Sequence, residues 1–193
     1  MPGYGISVAT QADLSAVAAL VNSAYRGESS RAGWTTEADY IDGQRTSGDD
    51  LAAELAAADQ PVLLVLRQGA ARDVLACVLI ETVALSGAAA GYIGMLTVRP
   101  DLQAVGLGRR MLDAAEDEVR RRGFDIAWMT VVSIRGGLIS WYKRRGYILT
   151  GERRPFPYGD ERFGLPRAEG LEFVVLAKTL FSSPACGGGG GAR

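Results

Sequence analysis

The chain's 193 residues, 48% hydrophobic and 22% charged, are enough for one domain of ordinary size with a core of its own. Lys plus Arg (21) against Asp plus Glu (22) leaves a net charge of -1, which excludes a global field for nucleic acid or an anionic membrane and requires any cationic site to be local. Histidine is absent, so a His-based triad, a His metal site and an imidazole base are excluded together, and acid–base chemistry falls to Tyr, Glu, Asp, Lys, Cys or water.

At the N-terminus, MPGYGISVAT has none of the organisation of a signal peptide, and no apolar run reaches membrane-spanning length, which points to a cytoplasmic protein. Ile6 to Ala9 reads as a first strand. Thr10 can cap a helix reaching about Tyr25, with Leu14, Val17, Ala18, Val21 and Ala24 at helical spacing. The polar stretch from Arg26 to Asp39 exposes Trp34, and Thr36 is placed to cap a short helix through Asp39 and Ile41, ending near Gly43 or Arg45. Asp49 to Ala58 reads as a further helix.

Pro61 to Gln68 and Asp73 to Val83 read as strands joined by a turn at Gly69 to Arg72, and the unbroken Val62-Leu63-Leu64-Val65-Leu66 predicts shelter on both faces. A loose turn at Ser86 to Gly91 leads to the strand Tyr92 to Val98. Connections this short make the three strands antiparallel. The next helix, from about Gly106 to Arg122, carries Leu107, Met111, Leu112, Ala115 and Val119 on one face. Arg120, Arg121 and Arg122 form an ordinary cationic helix end before Gly123. Phe124 to Val132 is a strand whose helical crossover from Tyr92–Val98 implies parallel pairing. Gly137 to Arg144 is a short helix stopped at Gly146. Tyr147 to Arg153 and Leu171 to Leu180 are the last strands, separated by a long loop of the kind that forms lids or binding loops. Cys77 and Cys186 read as unpaired, and no cluster has metal-ligand spacing. Residues 1–181 read as one domain and 182–193 as a disordered glycine-rich tail. The fold class is α/β, a mixed, mostly antiparallel central sheet of about seven strands flanked by helices.

The stretch around which the rest is arranged is Tyr92 to Arg122. A strand ends in Val98-Arg99-Pro100, and Gln103-Ala104-Val105-Gly106-Leu107-Gly108-Arg109 then opens the amphipathic helix. Helix starts leave backbone N–H groups unpaired and carry about half a positive charge. Gly106 and Gly108 have no side chain to block a phosphate from the backbone, and Arg109 and Arg110 add cationic reach. A P-loop would require Gly-Lys-Ser/Thr, which is absent, and a dinucleotide fold a third glycine where Met111 stands. The alternative at this level is a helix start whose glycines serve close packing.

Val98-Arg99-Pro100, Gln103-x-x-Gly106-x-Gly108-Arg109, Leu112 and then Trp141-Tyr142-Lys143-Arg144-Arg145-Gly146-Tyr147 together resemble the GNAT superfamily of acyl-CoA-dependent N-acetyltransferases. The resemblance follows the order of elements from Ile6 to Leu180, with its specific residues confined to Tyr92–Gly146. It implies acetyl-CoA as co-substrate and no metal. On this resemblance Leu96, Thr97 and Val98 pair their backbone with the pantetheine amides. The N–H groups of Gln103, Ala104, Val105, Gly106, Leu107, Gly108 and Arg109 hold the pyrophosphate. Tyr142 matches the Tyr that commonly protonates the departing thiolate. Seven residues before it the family often has an Asn on the coenzyme, where this chain has Arg135; either Arg135 serves the coenzyme phosphates instead or that contact is lost.

Acetyl transfer to an amine needs a neutral nucleophile, a polarised thioester carbonyl and a proton for the thiolate. A lysine-like amine of pKa about 10.4 is neutral at pH 7 only about once in 2,500 molecules, roughly 4.6 kcal/mol uphill. A carboxylate or water chain in the site can offset much of that. A Tyr, at about 10, stays protonated at pH 7 as the acid must; the other reading of Tyr142 is a corner aromatic of the core. Glu81, interrupting the apolar ACVLIETV, is the first candidate base. Facing the cleft it would be desolvated and raised, but strand alternation equally allows it to face solvent. Glu37 and Asp160 or Glu161 are the next candidates. The backbone N–H of Leu96 or Val98 is the expected carbonyl polariser.

The resemblance sets the acceptor between the Tyr25–Arg45 segment and the Pro155–Gly170 loop. Tyr25, Trp34, Phe156, Tyr158 and Phe163 offer walls there, and Arg31, Arg45, Arg162, Glu37, Asp160 and Glu161 offer polar handles or simply a solvated rim. Tyr25, Trp34, Glu37 and Phe163 are the leading substrate candidates. The expected partner is a small amphipathic primary amine, on one reading bearing a carboxylate, with no nucleic acid or membrane partner; a homodimer is open. Two other functions stay in view. One is a non-catalytic acyl-CoA-binding regulatory module, which the Arg135 departure allows. The other is a protein or peptide N-acetyltransferase, which would want a long acidic groove.

Overall fold

A computed structural model of the chain describes residues 3–69, 71, 73–160 and 164–180. Strand β1 (Tyr4–Val8) turns at Thr10, whose N–H and hydroxyl both donate to the Asp13 carboxylate, at 2.7 and 2.9 Å. That reciprocal cap launches α1 (Leu14–Tyr25), which buries Leu14, Val17, Ala18, Val21 and Ala24, the residues at helical spacing. The expected helix after Thr36 does not form. Its place is taken by a 3-10 turn at Glu28–Ala32, a single turn at Glu37, and a two-residue strand β2 (Ile41–Asp42). The reason is Glu37: its side chain is drawn inside with that of Arg26, so the segment becomes a strap over the interior rather than a helix facing water. Helix α2 (Gly48–Leu55) comes next, capped by Ser47, whose hydroxyl oxygen accepts from the Asp50 N–H at 3.1 Å.

The remaining elements are β3 (Val62–Gln68), β4 (Ala76–Leu85), β5 (Ala88–Val98), α3 (Leu107–Arg121), β6 (Ile126–Val132), α4 (Gly136–Lys143), β7 (Ile148–Pro155), β8 (Leu165–Pro166) and β9 (Glu172–Thr179). Seven strands form one sheet in the order β1-β3-β4-β5-β6-β9-β7, and β2 pairs β8 separately. The pairings are antiparallel apart from β5 with β6; short connections account for the run β3-β4-β5, and the crossover through α3 for the parallel pair.

Two cores cover the two faces. Residues of β3 and β4 alternate between Leu64, Leu66, Val78 and Ile80, which pack under α3 and α4, and Leu63, Val65, Cys77 and Leu79, which pack under α1 and α2. Strand β5 lies close against α3 because Gly91 leaves room: a Cβ there would fall 2.4 Å from Val119 Cγ2. Among the described residues no helix is long and apolar enough to cross a membrane. Phe163, Cys186 and the predicted tail lie outside the described residues.

Strand β5 departs from a regular ladder on both of its edges. Its parallel pairing with β6 has only two registered pairs, Gly91↔Ala127 and Tyr92↔Trp128, so beyond Tyr92 the strands part. In its pairing with β4, Cys77 faces Thr97 but Leu79 faces Gly94. Met95 and Leu96 therefore share one opposing residue, and Met95 takes a φ of 51°, the form of a β-bulge.

Candidate active site

Where β5 and β6 part, a cavity of about 340 Å³ opens on the α3–α4 face. Leu96, Val98 and Tyr25 wall its inner end, and Tyr142, Trp141 and Leu138 of α4 wall its side. The turn of Ala104 and Gly106 forms its outer end. Ala104 has a φ of 72° and Gly106 a φ of 92°, and this left-handed geometry points the start of α3 at the cavity. Its mouth gathers Arg109, Arg144 and Arg145. Burial depresses the pKa of Arg145, and the nearby Arg144 and Arg109 cations depress it further. Its guanidinium stacks 3.4 Å above the Trp141 ring while its Nε is buried without a hydrogen-bond partner. An exposed helix start, an open glycine turn and three mutually repelling cations are the donor set a phosphate-bearing ligand requires. The residues present fit such a group.

The bulge is fixed from within the fold. Tyr25 Oη donates to the Leu96 carbonyl at 2.6 Å, and Thr97 Oγ1 donates to the Met95 carbonyl at 3.0 Å. On the opposite, α1–α2 face of the same bulge lies a second cavity of about 540 Å³, lined by Arg45, Asp50, Glu54, Glu81, Tyr92, Gly94 and Met95, among others. Glu81 sits opposite Tyr92 in the ladder, beside Gly94, where a Cβ would crowd Tyr92 Cε1 at 3.1 Å and lie at an ordinary 3.8 Å from Glu81 Oε2. Burial, followed by repulsion from Glu54 and Asp59, pushes the Glu81 carboxyl up to about 7. Tyr142 lies across the bulge, its phenol raised above its usual value by burial first and by Tyr25 second. Among the described residues its hydroxyl makes no hydrogen bond.

The sequence profile described as the acetyltransferase (GNAT) family matches residues 20–147. The chain belongs to the GNAT acetyltransferase family. No curated protein matches it, but solved structures do. One is the ribosomal-protein-S18-alanine N-acetyltransferase of Escherichia coli, 19% identical with a TM-score of 0.65, covering 94% of this chain and 96% of that one. A Salmonella typhimurium protein assigned as an acetyltransferase, solved with its cofactor acetyl-CoA, is 20% identical with a TM-score of 0.67 over 94% and 96% of the two chains. The NatC complex bound to Gag peptide and CoA aligns at 14% identity and a TM-score of 0.64, over 92% and 99%. At these identities the likeness is one of fold.

Within this GNAT domain, Leu96, Val98, Gln103, Ala104, Gly106, Gly108, Arg109, Tyr25, Trp34 and Tyr142 come together around the first cavity. Thr97 is buried beside it, Val105 points to solvent and Leu107 belongs to the core under α3. Gln103 also ties the strap to the glycine turn. Its side chain accepts from the Trp34 N–H at 2.9 Å and donates to Thr35 Oγ1 at 2.8 Å and the Val98 carbonyl at 3.1 Å. Arg135 is turned away from that cavity. Its Nη1 donates to Glu37 at 2.7 Å and its Nη2 to the Thr35 carbonyl at 2.5 Å. Glu37 is itself buried, not a rim residue. Burial alone would raise its carboxyl, but Arg135, Arg45 and Arg26 outweigh it and hold the pKa below the usual range. Trp34 lies over the first cavity, 6.4 Å from Trp141. Sequence reasoning passed over Thr35, Leu138, Trp141, Arg144 and Arg145 as lining residues; the basic run after Tyr142 was the available signal.

Proposed function

We propose that this GNAT protein is an acetyl-CoA-dependent N-acetyltransferase acting on the primary amine of a small molecule. The observation that carries the reading is the pairing of two cavities on either side of the Met95–Leu96 bulge, one lined by Tyr142 and the other by Glu81. Acetyl-CoA, when bound, supplies an activated acetyl thioester and a thiol leaving group. The N–H groups at the start of α3 and the guanidiniums of Arg109, Arg144 and Arg145 hold its phosphates, and the backbone of Leu96 to Val98 lies along its arm. Glu81, increasingly deprotonated as pH rises through about 7, takes a proton from the incoming ammonium and so supplies the neutral amine that free solution offers only rarely. A backbone N–H of the bulge polarises the carbonyl. Tyr142, still protonated, gives its proton to the sulfur as the C–S bond breaks and is restored by the second proton, which the attacking nitrogen sheds as the amide forms; Glu81 releases the first to solvent.

The experiment is thiol release from acetyl-CoA across a panel of small amines and short peptides, with wild type, Tyr142→Phe and Glu81→Gln. Coenzyme binding without release on any member would leave a non-catalytic acyl-CoA-binding module as the reading. Release on peptides alone would move the acceptor to protein N-termini or lysines.

A further inference from the structure

Arg45 is a cation on the α1–α2 face that shares the field of the Glu37 and Glu54 carboxylates but forms no ion pair with either among the described residues. Three guanidiniums act on Glu37. Those of Arg26 and Arg135 are ion-paired with its carboxylate. Arg45 forms no ion pair among the described residues, and its Nε is buried without a hydrogen-bond partner. Its position is nevertheless fixed. The Arg45 N–H donates to Asn22 Oδ1 at 2.6 Å, Asn22 Nδ2 donates to the Thr46 carbonyl at 2.8 Å, and the guanidinium lies 5.9 Å from the centre of the Tyr25 ring. No carboxylate of the cavity closes on it as an ion pair. Asp50 is committed to Ser47, whose N–H and hydroxyl donate to it at 2.9 and 2.6 Å, and Glu54, on the exposed rim, feels the Arg45 charge without an ion pair to it. A buried guanidinium N–H with no acceptor has lost its hydration without replacement. A planar fork at a cavity wall suits a carboxylate or an isosteric oxyanion.

We propose that Arg45 reads an anionic group on the acceptor, a carboxylate or its isostere, while the acceptor's amine faces Glu81 in the same cavity. The acceptor class is then an amino-acid-like amine rather than a diamine. This rests on the acetyl-transfer reading above and narrows its substrate.

The test uses the full chain with acetyl-CoA and matched acceptors: amino acids, the amines left when their carboxylate is removed, their amides, and aliphatic diamines. The expected result is a kcat/KM at least about 10-fold higher for the carboxylate-bearing member of each pair. In Arg45→Gln that ratio falls about 10- to 100-fold, mainly through KM, and Arg45→Lys lies between. A preference for diamines or decarboxylated amines, or a ratio in Arg45→Gln equal to that of wild type, overturns the proposal. Should circular dichroism show Arg45→Gln unfolded, the wild-type ratio and calorimetric titration of each matched pair into the wild-type protein decide instead, and tighter binding of the amide or diamine overturns it. Thiol release without carboxylate preference removes this inference alone. Coenzyme binding without release on any amine or peptide removes the acetyl-transfer reading and this inference with it.

Discussion

At Tyr142 burial lifts the phenol above its ordinary range, so the hydroxyl that lines the first cavity stays protonated around neutral pH. Tyr142→Phe should lower kcat by about 100- to 10,000-fold, the usual worth of a positioned acid, while the coenzyme dissociation constant, read by calorimetry, changes little. Glu81 offers a complementary test. Its carboxyl is raised to about 7, and the base must be deprotonated to act. The kcat/KM profile should therefore climb more steeply with pH below about 7 than above it, and Glu81→Gln should lose the break. The linkage runs the other way for stability. A carboxyl raised in the folded state from 4.5 to about 7 favours folding while protonated, and that contribution is lost as pH rises between the two values. Because the group is only partly buried, Glu81→Gln should gain no more than about 1 kcal/mol over wild type at pH 8 after allowing for solvent screening, measured by urea unfolding.

Among the elements, the junction of β5 with α3 separates packing from binding through two glycines. At Gly91 a Cβ would collide with Val119 at 2.4 Å, whereas at Gly108 the nearest atom, Trp141 Cζ2, stands at an ordinary 3.5 Å. Gly91→Ala should destabilise the protein by about 1 to 3 kcal/mol through overpacking. Gly108→Ala should gain a few tenths to about 1 kcal/mol of helix propensity yet weaken coenzyme binding, since its methyl enters the cavity; parallel urea and calorimetric titrations would separate the two. The strap between α1 and α2 depends on one carboxylate. Glu37→Ala would strip Arg26 and Arg135 of the carboxylate they share, a loss of about 3 to 5 kcal/mol. In wild type the stabilisation from Glu37 is present above its unfolded pKa of 4.5 and lost as pH falls toward its lower folded value.

For the whole molecule, the antiparallel run β3-β4-β5 and the parallel pair β5–β6 could be read from the sequence because they follow from connection lengths and one helical crossover, and the glycine turn that faces the first cavity because it is local. The strap could not. Thr36 looked like a helix cap, but Glu37 finds Arg135, and β2 finds β8, through contacts distant in sequence; Gly164 is needed there because its φ is 88° and a Cβ would strike the Asp42 carbonyl at 2.5 Å. Arg135, read as a coenzyme contact or its loss, has a third occupation that no local pattern announces. Cys77 offers a global probe. It is wholly buried, and burial pushes its thiol up to about 12. In a Cys186→Ser background its alkylation at pH 8 should run at least about 1,000-fold slower than in urea-unfolded chain, tracking the unfolding equilibrium. Finally, cavities on opposite faces of one bulge admit two reactants by separate doors, so neither must leave before the other enters. Steady-state kinetics should then give double-reciprocal lines that intersect, because Cys77, the cysteine among the described residues, is sealed away from both cavities and cannot carry the acyl group between two half-reactions.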